Sequence, residues 1–203
     1  MLLPYMIKGV LEAGCDEAGR GPLAGCVFAA AVVWDTARCG DDDLPMLALL
    51  NDSKQLTEAH RYALRPWIES KAVAWAVAET TVEEIDTINI LNAAILAMHR
   101  ALDGLSVRPG HIIVDGNRWQ PYSYPAVPAD TVVKGDGKYM SIAAASILAK
   151  TYRDDYMLRL HNDYPAYGWN KNKGYPTKAH YEALRLHGLT PFHRRSFKLY
   201  KQQ

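Results

Sequence analysis

The sequence predicts an α/β protein, a mixed β-sheet flanked by helices on both faces, with a helical segment appended at its C-terminal end. Three observations predict it. Two apolar strands come before any helix, strands and long helical patterns alternate from about residue 72, and residues 164–203 carry a Tyr/Lys/Gly-rich loop and one helix but no strand. A chain of 203 residues lies near the upper end of ordinary single-domain size. One domain over 1–203 is therefore expected, with a core of about 1–163 and a C-terminal helical segment of about 164–203.

Each element has its own signal. The first strand is expected over 10–16 and the second over 23–34, a nearly uncharged run of Val, Ala and Phe. Between them, Ala18-Gly-Arg-Gly-Pro22 has the glycines and proline of a tight reversal. A polar loop follows, with Asp41-Asp42-Asp43 and Asn51-Asp52-Ser53-Lys54. Thr57 suits an N-cap and Glu58 the positive end of a helix, within which Pro66 predicts a kink or break. Residues 72–79 read as a strand. Ile85, Ile88, Leu91, Ile95 and Met98 form one stripe, which predicts an amphipathic helix over about 82–105. His111-Ile-Ile-Val114 is a short buried strand ending at Asp115, and Thr131-Val-Val133 another, running into Lys134-Gly135-Asp136. A second long helix is expected over about 139–161, where Ala143-Ala144-Ala145-Ser146 is small enough for close packing on a sheet. A loop over 164–176, a helix from Thr177 and a short basic tail complete the chain.

Composition narrows the class. With 49% hydrophobic and 22% charged residues the chain is globular, and no run of 18 apolar residues without charge suggests a membrane span. The N-terminal residues lack the pattern of a secretory signal. Cys15, Cys26 and Cys39 form no metal-type pair and cannot all be disulfide-bonded, so a cytoplasmic location is expected. The net charge of +1 is unevenly placed: residues 1–133 hold 10 Lys+Arg against 17 Asp+Glu (−7), and residues 134–203 hold 13 against 5 (+8). An acidic part joined to a basic part suits a site where carboxylates hold metal beside a surface that holds phosphates.

The chemistry centres on carboxylates. Asp16-Glu17 closes one apolar strand, Asp115 closes another and Asp136 follows a third. Strand ends at one edge of such a sheet converge on the crevice where sites are built. Four carboxylates there would repel one another unless cations joined them, and oxygen-only ligands suit Mg²⁺ or Mn²⁺. Two such ions could activate water and stabilise a leaving oxygen. Taken singly, an Asp at a strand end is more often a turn former. His161, His180, His187 and His193 show no metal-ligand spacing and read as surface or packing residues.

Six segments then fall in a familiar order: Gly14-Cys-Asp-Glu-Ala-Gly-Arg-Gly-Pro22, Asn51-Asp-Ser-Lys-Gln-Leu56, Ile113-Val-Asp-Gly-Asn117, Val133-Lys-Gly-Asp136, Ala144-Ala-Ser-Ile-Leu-Ala-Lys150 with Arg153-Asp154, and Lys173-Gly-Tyr-Pro-Thr177. In order and spacing they resemble bacterial ribonuclease HII, over nearly the whole chain. The resemblance implies an RNase H-like fold and cleavage of RNA in RNA–DNA hybrids, including 5′ of a single ribonucleotide embedded in duplex DNA. It implies Asp16, Glu17, Asp115 and Asp136 as the metal-binding catalytic acids, with two ions during turnover. Gly19-Arg20-Gly21 matches the loop that reads the ribose; glycines there let backbone groups approach a 2′-hydroxyl. Tyr175 matches the tyrosine that stacks on the following deoxyribose, Lys54 and Lys173 are candidates for phosphate contacts, and Asp154 is expected near the site. The expected partners are hybrid duplex and ribonucleotide-containing DNA. No sliding-clamp motif is apparent after Phe197, and a monomer is expected.

Three rival readings remain distinct. Gly19-x-Gly21-x-x-Ala24 fits a dinucleotide-binding oxidoreductase fingerprint, but it leads into a β-rich run where that motif must open a helix. A DNA nuclease of the same fold could use the same acids, yet has no use for a 2′-hydroxyl reader. A non-catalytic hybrid binder would do better without four carboxylates near phosphates.

Overall fold

The computed structural model describes residues 2–122 and 126–199. Strand β1 (Glu12–Ala18) lies at the centre of a five-stranded sheet. It pairs antiparallel with β2 (Val27–Val33) and parallel with β4 (His111–Asp115). β2 pairs antiparallel with β3 (Ala74–Thr80), and β4 pairs parallel with β5 (Ala129–Val132), giving the order β3-β2-β1-β4-β5. The mixed sheet of the sequence reading is thus present. Both members of the first pair start later than expected, at Glu12 and Val27. Residues 23–26 are instead drawn into pairing with the C-terminal segment, where Gly25 N–H donates to the Phe192 carbonyl and Arg194 N–H to the Leu23 carbonyl.

Alternation along the strands separates two apolar faces. Ala13, Cys15, Val27, Ala29, Ala31, Ile112 and Val114 pack under helix α3 (Val82–Asp103). Ala30 and Val32 pack on the other face with Leu64 and Ile68 of a preceding helix and with Ala144, Ile147 and Leu148 of a later one. The first of these is α2 (Glu58–Lys71), the second α4 (Met140–Asp163); a short helix α1 (Leu44–Leu49) precedes both, inside the stretch expected to be a polar loop. The small residues of α4 allow near contact of helix and sheet. A Cβ on Gly14 would lie 2.4 Å from the Ser141 carbonyl carbon, so only glycine fits β1 there.

Two helix expectations need correction. Pro66 does not break α2, which runs from its Thr57 N-cap to Lys71; the buried Leu64 and Ile68 on either side of the proline anchor the helix to the core. The break falls in α3, whose stripe contained no warning proline. Asn89 there has φ 67°, ψ 163°, and its Oδ1 accepts from the Leu91 and Asn92 amides, capping a fresh helical start. Ile85, Ile95 and Met98 of the expected stripe are buried, while Ile88 and Leu91 beside the bend are only partly so.

Beyond α4, the expected loop contains a 3₁₀ turn (Pro165–Tyr167) and a one-turn helix α5 (Trp169–Asn172), followed by α6 (Lys178–His187) behind its Thr177 N-cap. This segment builds its own apolar cluster, with fully buried Trp169 among Leu23, Met157, Tyr167 and Leu184. Residues 200–203 of the expected basic tail lie outside the described residues. Among the described residues no helix is long and apolar enough to cross a membrane.

Candidate functional site

The register of the central strands brings the acids together. Gly14 sits beside Ile113 and Cys15 beside Val114, so Asp16 and Asp115 follow as neighbours at the same end of β1 and β4. Both point to the α4 face, because Ala13 and Cys15 point to α3. After β5, Lys134 adopts a left-handed conformation (φ 56°) and turns the chain into a 3₁₀ turn, Gly135–Gly137, which carries Asp136 inward. Asp16, Asp115 and Asp136 each offer a carboxylate oxygen within 4.8 Å of the others.

The surroundings fix these carboxylates. Asp16 Oδ1 accepts from the Glu17 amide at 2.7 Å, and Asp115 Oδ1 accepts from the Gly135 amide at 2.7 Å. Ser146 of α4 lines the same cleft as Asp16 and pairs at 2.7 Å with Ser53, which ties the Asn51–Lys54 loop to the site. Burial, reinforced by Glu17 and Asp115, pushes the Asp16 carboxyl pKa far up. Burial and Asp115 likewise raise Asp136. Burial raises Glu17 as well, against the pull of Arg20, whose Nη1 lies 3.2 Å from Glu17 Oε1. Glu17 therefore borders the cleft, turned toward Arg20 and outside the close trio. Asp136 Oδ2 is buried without a hydrogen-bond partner, and the Lys54 ammonium stands 3.5 Å from it. An orphaned carboxylate oxygen beside two more carboxylates is a donor set that a hard divalent cation would satisfy.

Asp16 and Asp115 of the trio, with Glu17, line a cleft of about 220 Å³ that also takes in Gly19, Arg20, Gly21, Lys54, Lys150 and Tyr175. Tyr175 is 42% exposed, and a Cβ on Gly21 would lie 3.6 Å from its ring, so the ring and the glycine loop face one space. A wider hollow of about 570 Å³ lies at the α3 bend, lined by Asp86, Asn89 and Phe197. It has no carboxylate cluster, since the Asp86 oxygens are taken by Arg195 and Ser196. Two of the clustered carboxylates, Asp16 and Asp115, line the smaller cleft.

One expected phosphate contact lies away from the cleft, and Asp154, expected near the site, stands behind one of its lysines. Lys173 has φ 49° and its Nζ donates to the Asn170 carbonyl of its own loop at 2.6 Å, so it does not line the cleft. Asp154 is buried and receives Lys150 Nζ at 2.6 and 2.8 Å; it holds a cleft lysine and is not among the clustered acids. Arg194 was not singled out from the sequence. Its guanidinium is fully buried and donates to the carbonyls of Gly19, Arg20, Pro22, Gly25 and Cys26. His180 and His193, read as surface or packing residues, are buried and bonded to each other at 3.1 Å. Only their neighbourhood to the Lys-Gly-Tyr-Pro and Arg194-Arg195 segments could have drawn attention to them.

The fold agrees with comparison to known proteins. Residues 13–200 match the family model described as Ribonuclease HII. A Ribonuclease HII from Parabacteroides distasonis is 63% identical over 203 residues, covering 100% of this chain and 98% of that protein. The crystal structure of the ribonuclease H2 from Pyrococcus horikoshii OT3 superposes with a TM-score of 0.74 at 28% identity, covering 93% of this chain and 94% of that one. The structure of the PCNA:RNase HII complex from Archaeoglobus fulgidus gives 0.72 at 24% identity, covering 96% and 98%, and shares the fold.

Proposed function

The chain belongs to the ribonuclease HII family, and from that premise we propose that it cuts the RNA strand of RNA–DNA hybrids, and duplex DNA 5′ of a single embedded ribonucleotide, by two-metal-ion phosphodiester hydrolysis. The observation that carries the reading is the trio Asp16, Asp115 and Asp136, with ligand atoms within 4.8 Å and one buried oxygen without a hydrogen-bond partner. These residues, with Glu17 alongside, would hold Mg²⁺ or Mn²⁺. When bound, such ions supply Lewis acidity that lowers the pKa of water and offsets phosphate charge.

The remaining steps belong to the protein. The Gly19-Arg20-Gly21 backbone, presented to the cleft, addresses the ribose 2′-hydroxyl, the group that separates RNA from DNA. Arg20 and Lys54, whose side chains are 51% and 78% exposed, are free to swing toward phosphates flanking the scissile bond. Tyr175 offers an exposed ring beside Gly21 as a platform for the following deoxyribose. Lys150, held by Asp154, adds a fixed cation to the cleft wall. Lys173 is left out of the phosphate-binding set because its ammonium is engaged in its own loop.

The test is cleavage of an end-labelled DNA duplex bearing one internal ribonucleotide, with and without Mg²⁺ or Mn²⁺, beside an all-DNA control. The expected result is a metal-dependent cut 5′ of the ribonucleotide and none in the control. Equal cutting of both duplexes would move the reading to a DNA nuclease, and metal-independent binding without cutting to a binding module.

A further inference from the structure

The ribose-reading loop and the Tyr175 loop are far apart in sequence, yet the same dipeptide of the C-terminal segment grips both. Arg194 threads its guanidinium into the Gly19–Cys26 turn and donates to five carbonyls, at 2.7 Å to Gly19, 3.1 Å to Arg20 and 2.9 Å to Pro22 among them. Among the described residues no carboxylate is bonded to this fully buried cation, so the carbonyl dipoles are its solvation, and the turn is held by the charge it surrounds.

His193 reaches the other loop through His180. The Thr190 amide donates to His193 Nδ1 at 3.0 Å, which leaves the proton of that ring on Nε2. Trp169 Nε1–H donates to His180 Nε2 at 3.3 Å, which leaves the proton of the second ring on Nδ1. The two tautomers so fixed are complementary. His193 Nε2–H donates to His180 Nε2 at 3.1 Å, and His180 Nδ1–H donates to the Tyr175 carbonyl at 3.0 Å. Burial keeps both imidazoles neutral, that of His193 with its pKa pushed down to about 4. A direct backbone tie completes the unit, Leu23 N–H to the Gly174 carbonyl at 2.8 Å.

We propose that His193 and Arg194 are positioning residues for substrate selection. Arg194 sets the carbonyls of the Gly19-Arg20-Gly21 loop, while His193, through His180, sets the Tyr175 backbone, so that the ribose reader and the deoxyribose platform are held at a fixed spacing. This rests on the reading of Tyr175 and the glycine loop as substrate contacts. Neither residue touches the acidic trio, so their loss acts on recognition and leaves the metal ligands in place.

The experiment is a double-substitution cycle. Tyr175→Ala and His193→Phe are compared singly and together on a duplex with one ribonucleotide and on a hybrid with a long RNA tract. The phenyl ring keeps the packing against Tyr167 and Trp169, whose ring centroids lie 5.0 and 5.4 Å away, and removes the ring hydrogen bonds to His180 and to the amide and hydroxyl of Thr190. Each single change is expected to lower kcat/KM about tenfold on the one-ribonucleotide duplex and less than about threefold on the tract, with the double no worse than Tyr175→Ala alone. Losses that multiply to about a hundredfold, or that fall equally on both duplexes, overturn the role of His193. A junction-neutral Tyr175→Ala instead removes the parent reading. If His193→Phe fails to melt cooperatively, Thr190→Val replaces it, keeping the ring and removing one bond to Nδ1, with the same non-additivity at about threefold. For Arg194, Arg194→Lys is expected to lose about tenfold or more on the one-ribonucleotide duplex while calorimetry finds Mg²⁺ binding unchanged; weakened Mg²⁺ binding overturns its part.

Discussion

Asp115 is the acid whose position the fold determines most directly, as the last residue of β4, with its Oδ1 tied to the Gly135 amide. Asp115→Asn keeps the shape and that hydrogen bond but removes a negative charge from the trio. Turnover is expected to fall by about a thousandfold or more, with the melting transition and hybrid binding retained. Near-normal turnover would remove Asp115 from the mechanism. Gly19 tests the loop. It sits at φ +97°, and a Cβ there would lie 2.0 Å from Arg153 Nε. Gly19→Ala is therefore expected to cost about 2 kcal/mol or more in urea unfolding, and a change under about 0.5 kcal/mol would show that the loop relaxes freely. The acids were legible in the sequence because charge at the end of an apolar strand is conspicuous. Arg194, His180 and His193 were not, because their importance lies in hydrogen-bond partners they meet 3 to 175 positions away, which no local pattern records.

At the scale of elements, the strands and both long helices were legible because periodicity reports burial directly. What escaped was set by tertiary contact. Pro66 sits in an unbroken helix because Leu64 and Ile68 hold both sides to the core, and residues 23–26 leave β2 because they pair with Phe192 and Arg194. The bend in α3 is the instructive miss, since Asn89 looks like an ordinary polar face residue and acts instead as an internal N-cap. Two substitutions separate its duties. Asn89→Ala loses the cap and keeps a side chain at φ 67°, which is expected to cost about 1–2 kcal/mol, whereas Asn89→Gly relieves the backbone and should cost only a few tenths. Equal costs, read from urea midpoints at unchanged slope, would mean that the bend is imposed by packing and not by the residue.

Across the whole molecule, the opposition of −7 in residues 1–133 to +8 in residues 134–203 does not carry over to the cleft, where two of the three lining cations, Arg20 and Lys54, come from the acidic part and only Lys150 from the basic part. The acidic centre also sets how stability depends on pH. Asp16, Glu17 and Asp136 all have carboxyl pKa values raised in the folded state, chiefly by burial. A raised carboxyl pKa means that the folded chain binds the proton more tightly than the unfolded chain does. Its contribution to stability is thus complete below the ordinary carboxylate range and is lost as pH rises through the folded value. Metal-free protein should therefore lose stability from mildly acidic toward alkaline pH, and a divalent cation should restore it by taking the place of those protons. At about a hundred times its Kd, Mg²⁺ contributes about 2.7 kcal/mol, which for a chain of this length is a rise in Tm of about 5–10 °C. That rise is expected at pH 8 and should shrink to a degree or two at about pH 5, where protons compete for the same oxygens. Asp16→Asn combined with Asp136→Asn should raise the Tm of the metal-free protein at pH 8 and abolish the response to Mg²⁺. A Mg²⁺ response equal at both pH values, or one that survives the double substitution, would place the cation somewhere other than this cleft.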